Sequence, residues 1–181
     1  MPRTESVAER WVDVNDGTWV RARRDRDLTA CARVLRAVHR ADGYPVNWPK
    51  DPVGWLRGDD AVGAWVGCHD ERVVGNVLLT RPAPGDMAPT LVPAGTSVAV
   101  VGRLFVAPSA RGQRVGTALL ERAAREARLR GALPVLDVVT TDRAAITLYE
   151  RLGWRFLGQG QQVWGPGEPV TVRCYAEPSG G

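Results

Sequence analysis

The strongest constraint on the fold lies in residues 97–140, where an apolar strand, a turn, a helix and a second apolar strand follow one another. The segment "SVAVVGRLFVAP" (97–108) is almost continuously apolar, which is typical of a central strand. An alanine- and leucine-rich stretch from about 113 to 130 predicts a helix, and "LPVLDVVT" (133–140) predicts another strand. Two strands joined through one helix are parallel and connected by a right-handed crossover.

The preceding part of the chain predicts a strand, a helix and a hairpin. "TWVRAR" (18–23) predicts the first strand, and Asp27 is placed to cap a helix that ends before the proline-rich "DGYPVNWPKDP" (42–52). One face of that helix is apolar and contains Leu28, Cys31, Leu35 and Val38. "AVGAWVGC" (61–68) and "RVVGNVLLT" (72–80) are apolar runs separated by a short turn, which predicts an antiparallel hairpin.

The C-terminal part predicts one more helix and a closing pair of strands. The stretch from Pro82 to Gly95 is rich in proline and predicts a loop, whereas residues from Asp142 to Leu152 predict a helix. The closing strands are expected at "WRFLG" (154–158) and "VTVRCY" (170–175). Together the elements predict an α/β fold with a mixed, mostly antiparallel sheet flanked by helices. No G-x-G-x-x-G motif is present, which argues against a Rossmann fold.

The length of 181 residues predicts a single domain over residues 1–181, with flexible tails at 1–15 and 177–181. Three widely spaced cysteines without a C-x-x-C pair favour neither disulfides nor a metal site. No segment has the pattern of a signal peptide or of a membrane span. We therefore expect a cytoplasmic protein with no metal and no membrane partner.

The positive charge of the chain comes almost entirely from arginine. The net charge is +4, and Lys50 is the only lysine. This balance is compatible with nucleic acid, an anionic surface or a phosphorylated cofactor. On the helix expected at 113–130, the spacings Glu121–Arg125 and Glu126–Arg130 indicate a solvated face, so nucleic acid is not the expected partner.

The turn within "VAPSARGQRVGTALL" (106–120) joins the long strand to the following helix and has the features of an anion site. A helix N-terminus has unpaired N–H groups and a positive dipole end. Gly112 allows close approach of a ligand, and Arg111 and Arg114 add charge. From these features alone, an ordinary strand-to-helix turn remains an equal interpretation.

A second motif resolves this choice, because the two together resemble the GNAT acetyltransferase superfamily. The family pattern is Arg/Gln-x-x-Gly-x-Gly/Ala after a long strand, followed some thirty residues later by Asn-x-x-Ala-x-x-Leu-Tyr-Glu-x-x-Gly-Phe. The matching residues are Arg111, Arg114 and Gly116, and then Asp142, Ala145, Leu148, Tyr149, Glu150, Gly153 and Trp154. The resemblance covers most of residues 18–176.

The resemblance implies a fold in which the long strand splays from its parallel neighbour and binds acetyl-CoA. The pantetheine arm would pair with the backbone of Leu104, Phe105 and Val106. The diphosphate would contact the backbone of a loop formed by Arg111, Gly112, Gln113, Arg114, Val115, Gly116 and Thr117. Where the family has its first glycine, this chain has Arg114, which would have a negative φ and tolerate any side chain if it lies in the first helical turn. Asp142, where asparagine is usual, is expected to cap its helix.

The resemblance also implies how acyl transfer occurs. Tyr149 would protonate the leaving thiolate, and the backbone N–H of Val106 would stabilise the developing oxyanion. Many family members have a glutamate base on the long strand, but Val100 stands there and cannot titrate. Other candidates for the base are His39, Asp42, Asp137 or a chain of waters.

The segment "HRADGYPVNWP" (39–49) has the features of an acceptor-binding wall. Its residues His39, Asp42, Tyr44 and Trp48 would suit a cationic amine, which aromatic faces and a carboxylate attract. A rigid loop that covers the edge of the sheet is an equal alternative.

The leading hypothesis is an N-acetyltransferase that moves an acetyl group from acetyl-CoA to an amine. The acceptor would be a small molecule, such as an amino acid or antibiotic, or a protein. One alternative is a toxin that acetylates aminoacyl-tRNA, which the basic charge permits. The other is a non-catalytic acyl-CoA-binding module, suggested by the missing glutamate. A homodimer is compatible with the resemblance.

Overall fold

The sheet contains eight strands in a computed structural model of the chain, which describes residues 12–15, 17–164 and 167–178. The strands are β1 (Val12–Asn15), β2 (Thr18–Ala22), β3 (Ala61–His69), β4 (Arg72–Thr80), β5 (Val98–Val106), β6 (Leu133–Val139), β7 (Arg155–Gln162) and β8 (Val170–Ala176). Their order in the sheet is β1-β2-β3-β4-β5-β6-β8-β7. The predicted hairpin, formed by β3 and β4, is confirmed, as is the mixed, mostly antiparallel sheet.

Four α-helices accompany the strands in the part of the chain that the structure describes. They are α1 (Leu28–Asp42), α2 (Pro52–Arg57), α3 (Val115–Leu129) and α4 (Arg143–Arg151). The three longer helices lie where the sequence predicts them, within two residues at each end. The six-residue α2 was not predicted because its proline-rich sequence indicates a break. Asp51 caps α2 by accepting a hydrogen bond from the Gly54 N–H, and Pro52 occupies the first helical position, where no N–H partner is needed.

The parallel pair is β5 and β6, and it is paired over only part of its length. Val98, Ala99 and Val100 pair with the stretch Leu133–Val135. β5 then continues to Val106 and β6 to Val139 without further pairing between them. The predicted splay of the parallel strands is therefore confirmed.

The structure divides into two compact units. Among the described residues, the first contains those up to Gly58, Gly63–Leu78 and Arg103–Ala123, and the second contains Asp59–Val62, Leu79–Gly102 and those from Ala124. The core of the first unit is formed by Leu28, Cys31, Leu35, Val38, Leu56, Val66, Cys68 and Phe105. The core of the second is formed by Ala88, Val100, Val135, Val172, Cys174 and Ala176. That the whole chain is a single domain stays a prediction.

Parts of the two predicted tails have defined structure. Val12–Asn15 form β1, and the N–H of Glu177 donates to the carbonyl of Pro134 at 2.9 Å. Residues 1–11 and 179–181 lie outside the described residues, so the flexibility expected there stays a prediction. Among the described residues, no helix has both the length and the apolar character that a membrane span requires.

The prediction that the side chain of Asp27 caps α1 is wrong. Asp27 directly precedes α1, but its carboxylate makes no capping bond to that helix. It accepts two hydrogen bonds from Arg21, at 2.6 and 2.8 Å, and one from the N–H of Arg24 at 2.7 Å. Burial opposes ionisation, yet these bonds hold the pKa of Asp27 below its usual value.

Candidate functional site

The turn between β5 and α3 has an unusual backbone conformation. Gly112 has a φ of 78° and Arg114 a φ of 62°, while Gln113 between them is not left-handed. Alternation of this kind directs successive N–H groups into one concave surface, which is a typical anion-binding arrangement. The expectation of a negative φ at Arg114 is wrong, because this residue lies before the helix rather than in its first turn.

The first turn of α3 is fixed closely against the sheet. The carbonyl of Arg114 accepts a hydrogen bond from the N–H of Ala118 at 3.0 Å, so Arg114 occupies the N-cap position. A Cβ atom at Gly67 would lie 2.4 Å from the side chain of Val115, and one at Gly75 would lie 2.9 Å from Leu119. Glycines on β3 and β4 thus permit the close approach of α3 and hold the turn in place.

Arg111 and Asp42, which were predicted for the cofactor and the acceptor, form an ion pair. Both guanidinium nitrogens of the fork donate to the carboxylate of Asp42, and the Nη1–Oδ1 distance is 3.2 Å. Both side chains are nearly half exposed. The pair connects the end of α1 with the turn between β5 and α3.

His39 and Trp48 lie together in the predicted acceptor segment. The Nδ1 of His39 lies 3.0 Å from the carbonyl oxygen of Pro45. Because a carbonyl only accepts, Nδ1 is the protonated nitrogen, and in the neutral ring Nε2 has the lone pair. The His39 ring centroid is 5.1 Å from that of Trp48, whose face is also covered by the guanidinium of Arg36.

Tyr44 connects the predicted acceptor segment with β5. Its ring centroid is 6.4 Å from that of Phe105 and 6.5 Å from that of Trp55. Phe105 is buried, so a cofactor on this strand would contact its backbone rather than its side chain. In the first unit, residues predicted to bind the cofactor therefore contact residues predicted to bind the acceptor.

A left-handed residue within β5 was not predicted. Arg103, directly before the segment Leu104–Val106, has a φ of 51°. Its carbonyl accepts a hydrogen bond from the side-chain amide of Asn76 at 2.9 Å. The available signal was the lone polar residue in the apolar run "VVGNVLLT", since a polar side chain inside a buried strand needs a partner.

Tyr149, the predicted acid, belongs to the second unit. It is buried, and its ring centroid is 6.1 Å from that of Trp154 and 6.0 Å from that of Tyr175. The hydroxyl of Tyr175 donates to Glu150 at 2.9 Å and accepts from Arg173 at 2.8 Å. Burial, followed by the bond to Glu150, raises the pKa of Tyr175.

Two aspartates of the second unit have structural partners. Asp137, a candidate base, accepts hydrogen bonds from the backbone N–H groups of Met87 and Ala88 at 3.2 and 2.8 Å. Burial raises the pKa of Asp137. Asp142 accepts from the N–H of Ala145 at 3.0 Å, which confirms its predicted role as the cap of α4.

The cysteines have no structural sign of reactivity. Cys31, Cys68 and Cys174 are buried and free. Burial raises the pKa of Cys31 to about 12. Within the described residues, no group of three or more metal-binding side chains could hold an ion.

The sequence matches a known family over most of its length. The model of the Acetyltransferase (GNAT) family matches residues 36–154. No curated protein sequence matches the chain.

Several solved N-acetyltransferase structures are similar to this chain. The ribosomal-protein-S18-alanine N-acetyltransferase from Escherichia coli matches with a TM-score of 0.65 and 18% identity, over 89% of this chain and 93% of that chain. NAA60 from Arabidopsis thaliana, in complex with acetyl-CoA, matches with a TM-score of 0.67 and 18% identity, over 88% and 97%. YncA from Salmonella typhimurium, a putative acetyltransferase with its cofactor acetyl-CoA, matches with a TM-score of 0.60 and 20% identity, over 88% and 92%. At these identities the similarity establishes the fold.

Proposed function

The chain belongs to the GNAT acetyltransferase family, and on this premise we propose that it transfers the acetyl group of acetyl-CoA to the amine of a small molecule, an amino acid or antibiotic, or a protein. Two of the similar structures named above are complexes with acetyl-CoA, which supports the same co-substrate here. The acceptor is proposed only as a class, since those relatives share too little sequence to transfer a substrate.

The observation that carries the proposal is the backbone of residues 112–114. Left-handed conformations at Gly112 and Arg114, directly before a fifteen-residue helix, provide converging N–H donors and a positive dipole end. Water satisfies such donors individually, but a diphosphate satisfies several at once. We propose that the loop from Arg111 to Thr117 binds the diphosphate of acetyl-CoA and that Arg111 and Arg114 add charge.

The strand edge and one side chain fit the rest of the cofactor. Beyond Val100, β5 has no pairing with β6, so the backbone of Leu104, Phe105 and Val106 can receive the pantetheine arm as an added strand. The Oε1 atom of Gln113 is buried and has no hydrogen-bond partner within the described residues. A pantetheine amide has the N–H donor that such an oxygen requires.

The chemistry requires that a neutral amine attack the acetyl carbon. The new C–N bond forms, the C–S bond breaks, and the amine loses a proton while the thiolate gains one. We propose that Tyr149 donates the proton to sulfur, since a phenol and a thiol have pKa values close enough for transfer. The N–H of Val106 would stabilise the oxyanion, a contribution that is typically large in acyl transfer.

Among the named candidates for the base, the contacts favour His39. The carboxylate of Asp42 pairs with Arg111, and that of Asp137 accepts two backbone N–H groups. Within the part of the chain that the structure describes, His39 uses only Nδ1, which leaves the lone pair of Nε2 for a proton. His39→Gln should reduce kcat by about a hundredfold while leaving the Kd for coenzyme A unchanged, and an unchanged kcat excludes His39 as the base.

Calorimetry with coenzyme A and a thiol-release assay with acetyl-CoA and a panel of amines test the proposal. We expect binding, and release of free thiol with at least one amine. Tyr149→Phe should reduce kcat by about a hundredfold or more while leaving the Kd for coenzyme A unchanged. Binding without thiol release at any pH would instead indicate a binding module, and salt-sensitive binding of tRNA would favour an aminoacyl-tRNA acceptor. Absence of coenzyme A binding would exclude the proposed function.

A further inference from the structure

Asn76 is fully buried on β4 and joins two structural elements through its side-chain amide. Its Nδ2 donates to the carbonyl of Arg103 at 2.9 Å, and its Oδ1 accepts from the Nη1 of Arg23 at 2.8 Å. Both contacts lie within the first unit. The side chain therefore binds the backbone of β5 at Arg103 with one end and a charged side chain with the other.

Arg103 lies within β5, but its backbone has a left-handed φ of 51°. In a residue other than glycine this conformation is unfavourable by itself and requires support from its surroundings. The amide of Asn76 supplies a hydrogen bond to the carbonyl of this residue. Leu104, Phe105 and Val106 follow directly, so the conformation of Arg103 determines where their backbone groups point.

The side-chain oxygen of Asn76 is held by Arg23, whose guanidinium has few other hydrogen-bond partners among the described residues. The guanidinium of Arg23 contacts Asn76 and, at 3.4 Å, the carbonyl of Arg57. Within the described residues it has no carboxylate partner at hydrogen-bond distance. Burial lowers the pKa of Arg23, and a partly buried cation of this kind keeps its neutral acceptors in a fixed orientation. Arg23 thus fixes which end of the Asn76 amide faces Arg103.

We infer that Asn76 is a positioning residue for acyl transfer: by holding the left-handed backbone of Arg103, it aims the backbone of Leu104–Val106 at the cofactor. The inference rests on the proposed function for the identity of that cofactor. It adds a residue outside both family motifs, which acts through the backbone of β5 and does not touch the substrate.

Two variants separate the contact with Arg103 from the contact with Arg23. In Asn76→Asp, the carboxylate still accepts from Arg23 but has no proton to donate to the carbonyl of Arg103. In Arg23→Met, the contact with Arg103 remains and the contact with Arg23 is lost. Both variants change one buried polar partner and should lower stability, so stability alone does not distinguish them.

Amide hydrogen exchange without ligand and calorimetry with coenzyme A give the decisive readouts. We expect Asn76→Asp to accelerate exchange at Leu104–Val106 by about tenfold and to weaken coenzyme A binding by a similar factor. Arg23→Met should alter each by less than about threefold.

Unchanged exchange and affinity in Asn76→Asp, or equal effects in both variants, would overturn the inference and leave Asn76 with a packing role. Failure of the proposed function has a different signature, namely wild-type protein that does not bind coenzyme A. In that case the exchange measurement still determines whether Asn76 holds the strand.

Discussion

Arg111 pairs with Asp42 in the structure, and the same guanidinium is proposed to contact the diphosphate of acetyl-CoA. Asp42 therefore competes with the ligand for Arg111. A half-exposed ion pair contributes about 0–1 kcal/mol, so the competition is modest. Removal of the Asp42 carboxylate should nevertheless strengthen ligand binding, because it frees the guanidinium of Arg111 for the diphosphate.

Asp42→Asn should tighten the binding of coenzyme A by about two- to fivefold, measured by calorimetry at low salt. The gain should shrink at high salt, because screening weakens interactions between exposed charges. Asp25→Asn, which removes the same charge from an exposed position in another turn, is the control. Weaker binding by Asp42→Asn would show instead that Asp42 orients Arg111 for the phosphate.

Arg114 was predicted from its place in the family motif, but its φ was not. Sequence spacing placed the helix start near residue 113, whereas α3 begins at Val115 and leaves Arg114 in the left-handed turn. The left-handed backbone explains why the family has a glycine at this position. An arginine here lowers the stability of the fold by about 1 kcal/mol relative to glycine.

Arg114→Gly should therefore raise the free energy of unfolding by about 0.5–1 kcal/mol while weakening coenzyme A binding. Arg114→Ala removes the same charge but retains the backbone cost, so it should weaken binding without the gain in stability. Urea unfolding and calorimetry on both variants measure the two effects. If Arg114→Gly binds coenzyme A as tightly as the wild type at every salt concentration, Arg114 does not contact the phosphate.

Long elements were predicted well, because apolar periodicity over many residues depends little on context. The boundaries of α4 were given by Asp142 and Gly153, whose side-chain and backbone preferences act locally. The left-handed conformation of Arg103 and the short helix Pro52–Arg57 were not predicted. Both depend on partners distant in sequence or on a few residues, so a local pattern contains little information about them.

Helix α4 carries Tyr149, and its N-terminus is fixed by the bond from the N–H of Ala145 to Asp142. Asp142→Ala should lower the free energy of unfolding by about 1 kcal/mol, because one N–H of the first turn loses its partner. Asp142→Asn retains an acceptor oxygen and should stay within about 0.5 kcal/mol of the wild type. Urea unfolding followed by circular dichroism measures both, and equal effects of the two variants would contradict a capping role.

At the scale of the whole molecule, the two compact units share elements. β3, β4, β5 and α3 each contribute residues to both units. Each of these elements is one continuous strand or helix, so its unfolding removes structure from both units. We expect a single cooperative transition in urea, with coincident curves from tryptophan fluorescence and far-ultraviolet circular dichroism. Two separated transitions would show that the units are independent domains.

The proposed function depends on binding of a diphosphate by the backbone amides of the loop from Arg111 to Thr117. Amide NMR of isotope-labelled protein, titrated with coenzyme A, measures this binding residue by residue, and pantetheine is the matched ligand that lacks the diphosphate. Coenzyme A should shift the amide signals of Gly112, Gln113, Arg114 and Gly116, whereas pantetheine should leave them nearly unchanged. Saturable binding of coenzyme A with these four signals unmoved would show that the loop does not bind the diphosphate.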